Sequence, residues 1–451
     1  MKTVKYAQIL TIISIILLAL FSDITITAKE QNITYNTDSV LKNETYIIEG
    51  FPYVGQSTDF YCMFTTTTMV FNYYGLNISL LEALYNSGVG YSTLYSLAGL
   101  DRCLIGGNGA SNWEADRVFL ASLYGLSYSV AHENSWETFW NKTKQNITQD
   151  KAVITTVNPR SLTSIRNAVR QKLNISDNIW EKIPEFVWDL FPSIPNHNIL
   201  LVGFNESNNT ICYNDPSPAL LGYPECGHYA WMNLEDFKEA LKKYNVCVFE
   251  NITKNPLDKD MIFEKVHERN LELMKGNSST YDERLINKSK IKFFGIKAVE
   301  QLKKDLGKGI NHRITTIFAY KKLCTRSLFT LSYKIYRFFD IFLPSFLNMT
   351  DYHTMANYFY RIAIEKNDMS DHLWEKQYEL SDQNLSNICK HDSKLLEYEA
   401  ENYTKLADEF TMFLKRGMFI SIPRAIIVTN KMAIITDKII TLEEEIINQG
   451  I

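Results

Sequence analysis

The chain has 451 residues, 45% of them apolar and 13% aromatic, with a formal net charge of −4. That length corresponds to two or three domains with ample material for packed cores, and the composition excludes a low-complexity or disordered chain. The small net charge says little about partners, but no basic patch is dense enough to argue for nucleic acid, and none is expected as a partner.

Residues 1–28 read as a signal peptide: Lys2 and Lys5 precede an apolar stretch from Ile9 to Phe21, and Thr27-Ala28 offers a cleavage end. The apolar stretch is about 13 residues, short of the roughly 20 that a bilayer span needs. A secreted or cell-surface protein is therefore expected. The alternative is an uncleaved segment that anchors the chain and brings it to a membrane surface. Asn-x-Ser/Thr sequons support export: they begin at fourteen asparagines, among them Asn77, Asn174, Asn205, Asn208 and Asn402, where chance gives about five or six. Residues 29–50 are a polar lead-in.

Residues 51–255 mix helix and strand signals and form the first domain. In FPYVGQSTDFYCMFTTTTMVFNYYG, Gln56 lies six residues before Cys62, and Cys62 opens an apolar helix that Gly75 ends. At a helix start, the backbone amides favour a thiolate. A Gln just upstream is placed to donate to a developing oxyanion. The four β-branched residues Thr65 to Thr68 weigh against the helix and leave a strand as the alternative. A second helix is expected over Ile78 to Tyr85, with Ser79 as its N-cap. Gly88 to Gly109, rich in glycine, reads as loop. Then follow a helix over Asn112 to Tyr124, a strand over Ser127 to Ala131 and a helix over Ser135 to Gln149. Ala152 to Val157 is a buried strand, and 160–195 an aromatic-rich insertion. Strands over Ile199 to Phe204 and Thr210 to Asn214 flank a turn at Asn205 to Asn209. A helix over Leu234 to Lys243 and a strand over Val246 to Glu250 close the domain.

Beyond Pro256 the strand signals fade. Residues 256–451 read as an all-α helical domain, with runs at Asp260 to Lys275, Ile291 to Leu306, Ile314 to Leu343, Asp351 to Lys366, His372 to Asp392 and Leu395 to Lys415. The sequence names no protein partner for this part. There are seven cysteines, and an odd number in an exported chain leaves one thiol free. With Cys62 free, the expected bridges are Cys212 with Cys247 in neighbouring strands, Cys324 with Cys389, and Cys103 with Cys226.

A cysteine nucleophile needs a base. His197 opens the strand of PNHNILLVGF, and Asp215 closes the next one in ICYNDPS. Folding these strands about Asn205 to Asn209 brings residues near 197–200 opposite 215, within about 5 Å for facing side chains. Cys62, His197 and Asp215 then form a triad in that chain order. His228 in ECGHYAW is the rival base and Asn214 the rival orienting residue. His132 has no such partner. There is no metal-site spacing and no phosphate-binding loop, so no cofactor or metal is expected.

With these blocks, together with KAVITTV at 151–157, HNILLVGFN at 197–205 and YNDPS at 213–217, residues 51–250 resemble the papain-like, double-glycine-peptidase-like cysteine peptidases. The resemblance implies an α+β papain-like fold, Cys62 as nucleophile, His197 as base, Asp215 as orienting residue and Gln56 at the oxyanion hole, acting on a peptide or amide substrate. Met63 and Phe64 depart from that family's small residues after the cysteine. A weaker resemblance spans more of the chain. ISLLEALYNSGVGY at 78–91, GIKAVEQLKKDL at 295–306 and DHLWEKQYEL at 371–380 are similar to the butirosin biosynthesis protein H type of acyltransferase, which implies transfer to an amine in place of hydrolysis. The third reading is a binding module with a degenerate site.

Overall fold

The computed structural model describes residues 45–58, 61–98, 101–106, 113–176, 197–251, 257–277, 293–307, 355–416 and 422–449. The signal-peptide expectation and the helix expected at 314–343 lie outside the described residues.

Helix α1 is Cys62–Tyr73. Thr65, Thr66, Thr67 and Thr68 are all buried within it. Their hydroxyls donate to the carbonyls of Tyr61, Cys62, Met63 and Phe64, four residues back, at 2.8–2.9 Å. Each buried hydroxyl is thus satisfied inside the helix, which is how a run of poor helix formers lies in an apolar core. Apolar Met63, Phe64, Met69, Val70 and Phe71 fill the rest of its surface. Helix α2 is Leu80–Asn86, and Ser79 caps it by accepting from the Glu82 amide, as expected.

Strands β2 (Thr93–Ala98) and β3 (Asp101–Gly106) stand where a loop was expected. The glycines there answer a packing need. A Cβ at Gly106 would lie 2.6 Å from Ile362 Cγ1, so the residue is glycine because a helix crosses it closely. The strands form a three-stranded sheet with β10 (Phe293–Phe294). The second half is therefore not all-α: it holds β10, whose partner strand β2 comes from the first half.

Helices α3 (Trp113–Leu123) and α4 (Trp136–Ile147) flank strand β4 (Leu126–His132). Then come β5 (Val153–Val157), helix α5 (Thr163–Lys172), β6 (His197–Asn205) and β7 (Thr210–Asn214). Part of the expected insertion is thus helix α5, and 177–196 lie outside the described residues. Strand β8 (Ala230–Asn233), helix α6 (Leu234–Ala240) and β9 (Asn245–Asn251) follow. The main sheet has seven strands in the order β4-β9-β5-β6-β7-β8, and β1 (Thr45–Ile47) pairs with the far end of β6. Strands β1 and β8, of three and four residues, are too short to announce themselves in the sequence. The β6–β7 pair is the hairpin expected from the sequence, with Leu200 opposite Asn214.

The expected disulfides are absent: Cys212, Cys226, Cys247 and Cys389 are free thiols. Cys212 on β7 and Cys247 on β9 are not on neighbouring strands, because β5 and β6 lie between them. Three strand spacings are about 14 Å, twice the Cα separation that a disulfide spans. The side chains of Cys103 and Cys324 lie outside the described residues.

The C-terminal half comprises α7 (Lys259–Met274), α8 (Ile296–Gly307), α9 (Met355–Lys376), α10 (Gln383–Arg416) and α11 (Ile422–Gln449). The breaks expected near 367–371 and 393 are replaced by a single one at 377–382, where Asp382 accepts from the amides of Asn384 and Leu385 and so starts α10. Helix α11 was not foreseen. Tyr95 of β2, Phe359, Tyr403, Met432 and Ile439 share a core in this half. The larger core, around α1 and the main sheet, continues into Phe263 of α7, Leu373 of α9 and Leu396 of α10. The core thus crosses the expected boundary at 255/256. Tyr61, the residue before Cys62, is buried and donates at 2.9 Å to Asp368 of α9, so helix α1 is moored to the helical half. Among the described residues no helix is long and apolar enough to cross a membrane. Asn77, Asn174 and Asn208 are exposed. Asn402 is buried on α10 and donates to the Tyr398 carbonyl, so that sequon is closed to a glycan in the folded chain.

Candidate active site

Cys62 is the first residue of α1, where the orphan N–H groups of the helix gather. The residue is 6% exposed. Helix α1 packs on β6, and this brings the first residues of β6 to the sulfur. The backbone N–H and the side-chain Nδ2 of Asn198 lie 3.5 and 3.8 Å from Cys62 Sγ. His197 lies near enough to Cys62 to act on its thiol. On its other side His197 Nε2 is 2.6 Å from Asp215 Oδ1, and both residues are buried.

Asp215 is held from every direction. Its Oδ1 also accepts from the Ser217 amide at 2.9 Å, and its Oδ2 accepts from Ser164 Oγ at 2.6 Å. Ser164 in turn is bonded to Tyr213. The Asp215 amide donates to the Gly227 carbonyl, and its own carbonyl accepts from Tyr53. A Cβ at Gly227 would come within 2.1 Å of the Asp215 carbonyl oxygen. Gly227→Ala is therefore expected to displace Asp215, with about 1–3 kcal/mol lost in stability and a fall in turnover larger than that loss explains. Chemical denaturation beside steady-state kinetics checks it.

The charges are opposed and paired. Burial pushes the Cys62 thiol up, but the hydrogen bond and charge of His197 and the donors of Asn198 outweigh it, and the thiol falls below its ordinary value. Burial pulls His197 down, but the charge and hydrogen bond of Asp215 and the nearby sulfur push it up to about 10. The arrangement favours a thiolate–imidazolium pair at neutral pH. Cys212 and Cys389 go the other way, pushed up to about 12 by burial.

The structure thus brings together Cys62, His197 and Asp215. Gln56 is buried on the entering loop, its backbone amide donating to the Pro216 carbonyl next to Asp215 and its Oε1 without a hydrogen-bond partner among the described residues. The rivals lie elsewhere. His228 packs at a tilt against the rings of Tyr53 and Tyr229 and reaches the Phe51 carbonyl. Asn214 accepts from the Tyr229 amide. His132 is exposed and bonds Asn245. Sequence reasoning missed Asn198, Ser164 and Ser217. Asn198 adjoins His197 and Ser217 lies in YNDPS, so both were in view, whereas nothing marked Ser164. Among the described residues no group of three His, Cys, Asp or Glu side chains is set to hold a metal ion.

The Peptidase_C39 like family model matches residues 48–246. Those residues form a Peptidase_C39-like domain. It spans α1 and nearly all of the main sheet, from just after β1 into β9, and contains Gln56, Cys62, His197 and Asp215. The helical half lies outside the match. No curated protein matches the chain.

Proposed function

We propose that the protein is a thiol-dependent hydrolase that cleaves a peptide or amide bond through an acyl-thioester on Cys62. The observation that carries this reading is His197, buried between the Cys62 sulfur and the Asp215 carboxylate, in a Peptidase_C39-like domain. Cys62 attacks the substrate carbonyl as a thiolate. The carbonyl oxygen gains the negative charge, and the Gln56 carboxamide and the free amides at the start of α1 are its donors. His197 gives its proton to the departing amine, leaving the thioester. It then takes a proton from water, which attacks the thioester and frees the acid and the thiol. Nε2 is committed to Asp215, so Nδ1 is the nitrogen that serves the sulfur. Asp215 fixes that orientation and supports the imidazolium.

The test is hydrolysis of a panel of fluorogenic peptide amides by the wild type and Cys62→Ala. Release of fluorophore by the wild type alone is expected, and the free acid as product. Equal rates for the two proteins contradict the reading. An added amine such as glycinamide gives an amide product in its place if the enzyme is a transferase of the second kind considered above.

We propose also that the protein is exported. The basic and apolar residues of 1–28 and the exposed sequons at Asn77, Asn174 and Asn208 support this. Expression in a glycosylating host followed by endoglycosidase treatment is expected to lower the apparent mass, with no glycan at Asn402.

A further inference from the structure

Arg117 lies on α3 and is 4% exposed, yet among the described residues it makes no ion pair with a carboxylate. Its Nη1 is 3.4 Å from the Tyr128 hydroxyl, and the guanidinium sits 5.8 Å from the centre of the Tyr128 ring. Its Nη2 is 3.5 Å from Asn198 Oδ1. A buried cation is costly unless an opposite charge offsets it. The ionisable side chains facing it are Tyr128 of β4, Cys247 of β9 and Cys62 of α1. Cys62 is lowered towards its anion, whereas burial raises Tyr128.

Asn198 connects the two. Its Oδ1 receives Arg117 and the Thr156 hydroxyl, each at 3.5 Å, while its Nδ2 and backbone amide face Cys62. A carboxamide has one accepting and one donating end. Two donors on the oxygen side settle which end is which, and the amino group is left for the sulfur. Turned over, the carboxamide would aim an oxygen at an anion. We infer that Arg117 is a positioning residue for the Cys62 nucleophile, its guanidinium locking the Asn198 side chain so that Asn198 offers two N–H donors to the sulfur. The inference rests on the hydrolase reading above and deepens it. It also gives a reason for a lone buried arginine behind the site. Burial lowers the guanidinium's proton affinity, but Tyr128, Cys247 and Cys62 restore it, so the charge persists.

The experiment is the rate of Cys62 alkylation by iodoacetamide against pH, read by peptide mass spectrometry, together with kcat and KM on a peptide amide. Arg117→Met is expected to raise the alkylation midpoint by about one pH unit and lower kcat about tenfold with little change in KM. Arg117→Lys is expected to recover part of both, since it restores a donor and a charge without the fork. If Arg117→Met does not fold, as judged by circular dichroism, Asn198→Ala is read in its place, with the same direction of shift. A midpoint and kcat unchanged in the variant that folds overturn the inference. His197→Ala separates the two levels: if it too leaves the alkylation profile unchanged, the triad reading itself has failed. If only His197→Ala shifts the profile, the triad stands and the role of Arg117 falls.

Discussion

His197→Ala is expected to lower kcat/KM by about 10⁴, some 5.5 kcal/mol of transition-state stabilisation. The residue takes part in every proton transfer of the proposed cycle, and no described histidine stands in reach to replace it, since His228 bonds the Phe51 carbonyl and His132 is exposed. The substitution also removes the charge that lowers the Cys62 thiol. Two changes should therefore appear together: turnover falls, and the sulfur becomes slow to alkylate at neutral pH. Stability should fall as well, by about 3 kcal/mol, because a buried carboxylate loses its partner. The Ser217 amide and Ser164 hydroxyl still hold Asp215, so the fold should survive. Kinetics beside urea denaturation separate the two effects. A variant that unfolds only slightly more easily but turns over near the wild-type rate would remove His197 from the mechanism.

The second large effect is expected at Asp215. Asp215→Asn keeps the shape but leaves His197 without its anion, and a loss of about 10²–10⁴ in kcat is expected. The pH profile is the more telling readout. In the wild type the imidazolium persists to about 10 because of the Asp215 charge and hydrogen bond and the nearby sulfur. Activity should therefore hold across the neutral range and fall as the pH rises through about 10. With the carboxylate gone, burial pulls His197 towards lower values, so the alkaline limb must move to lower pH. A limb that stays in place in the variant would mean that some group other than His197 sets it.

The site was more legible in the sequence than its surroundings. A hairpin is a local object. The alternation and turn between His197 and Asp215 placed those two side chains together without any knowledge of the rest of the fold. The start of α1 was equally local, and the Thr65 to Thr68 run deceived only until its hydroxyls were seen to bond back along the helix. What stayed hidden was set by partners distant in the sequence. Ser164 is bonded to Asp215, 51 residues on, and Arg117 to Asn198, 81 residues on. Gly106 looked like a turn residue because its crossing helix lies some 250 positions later. The expectation that Cys212 pairs with Cys247 failed for the same reason, since strand order in the sheet is not strand order in the chain.

The account's central claim is an acyl group carried on the Cys62 sulfur. A peptide ester or activated amide mixed with the enzyme, quenched in acid within the first turnover and digested for mass spectrometry, tests it directly. The account predicts an acyl adduct on the peptide containing Cys62, absent from Cys62→Ala and discharged by hydroxylamine. Turnover with no adduct on Cys62, or an adduct on another residue with Cys62 unmodified, would contradict it.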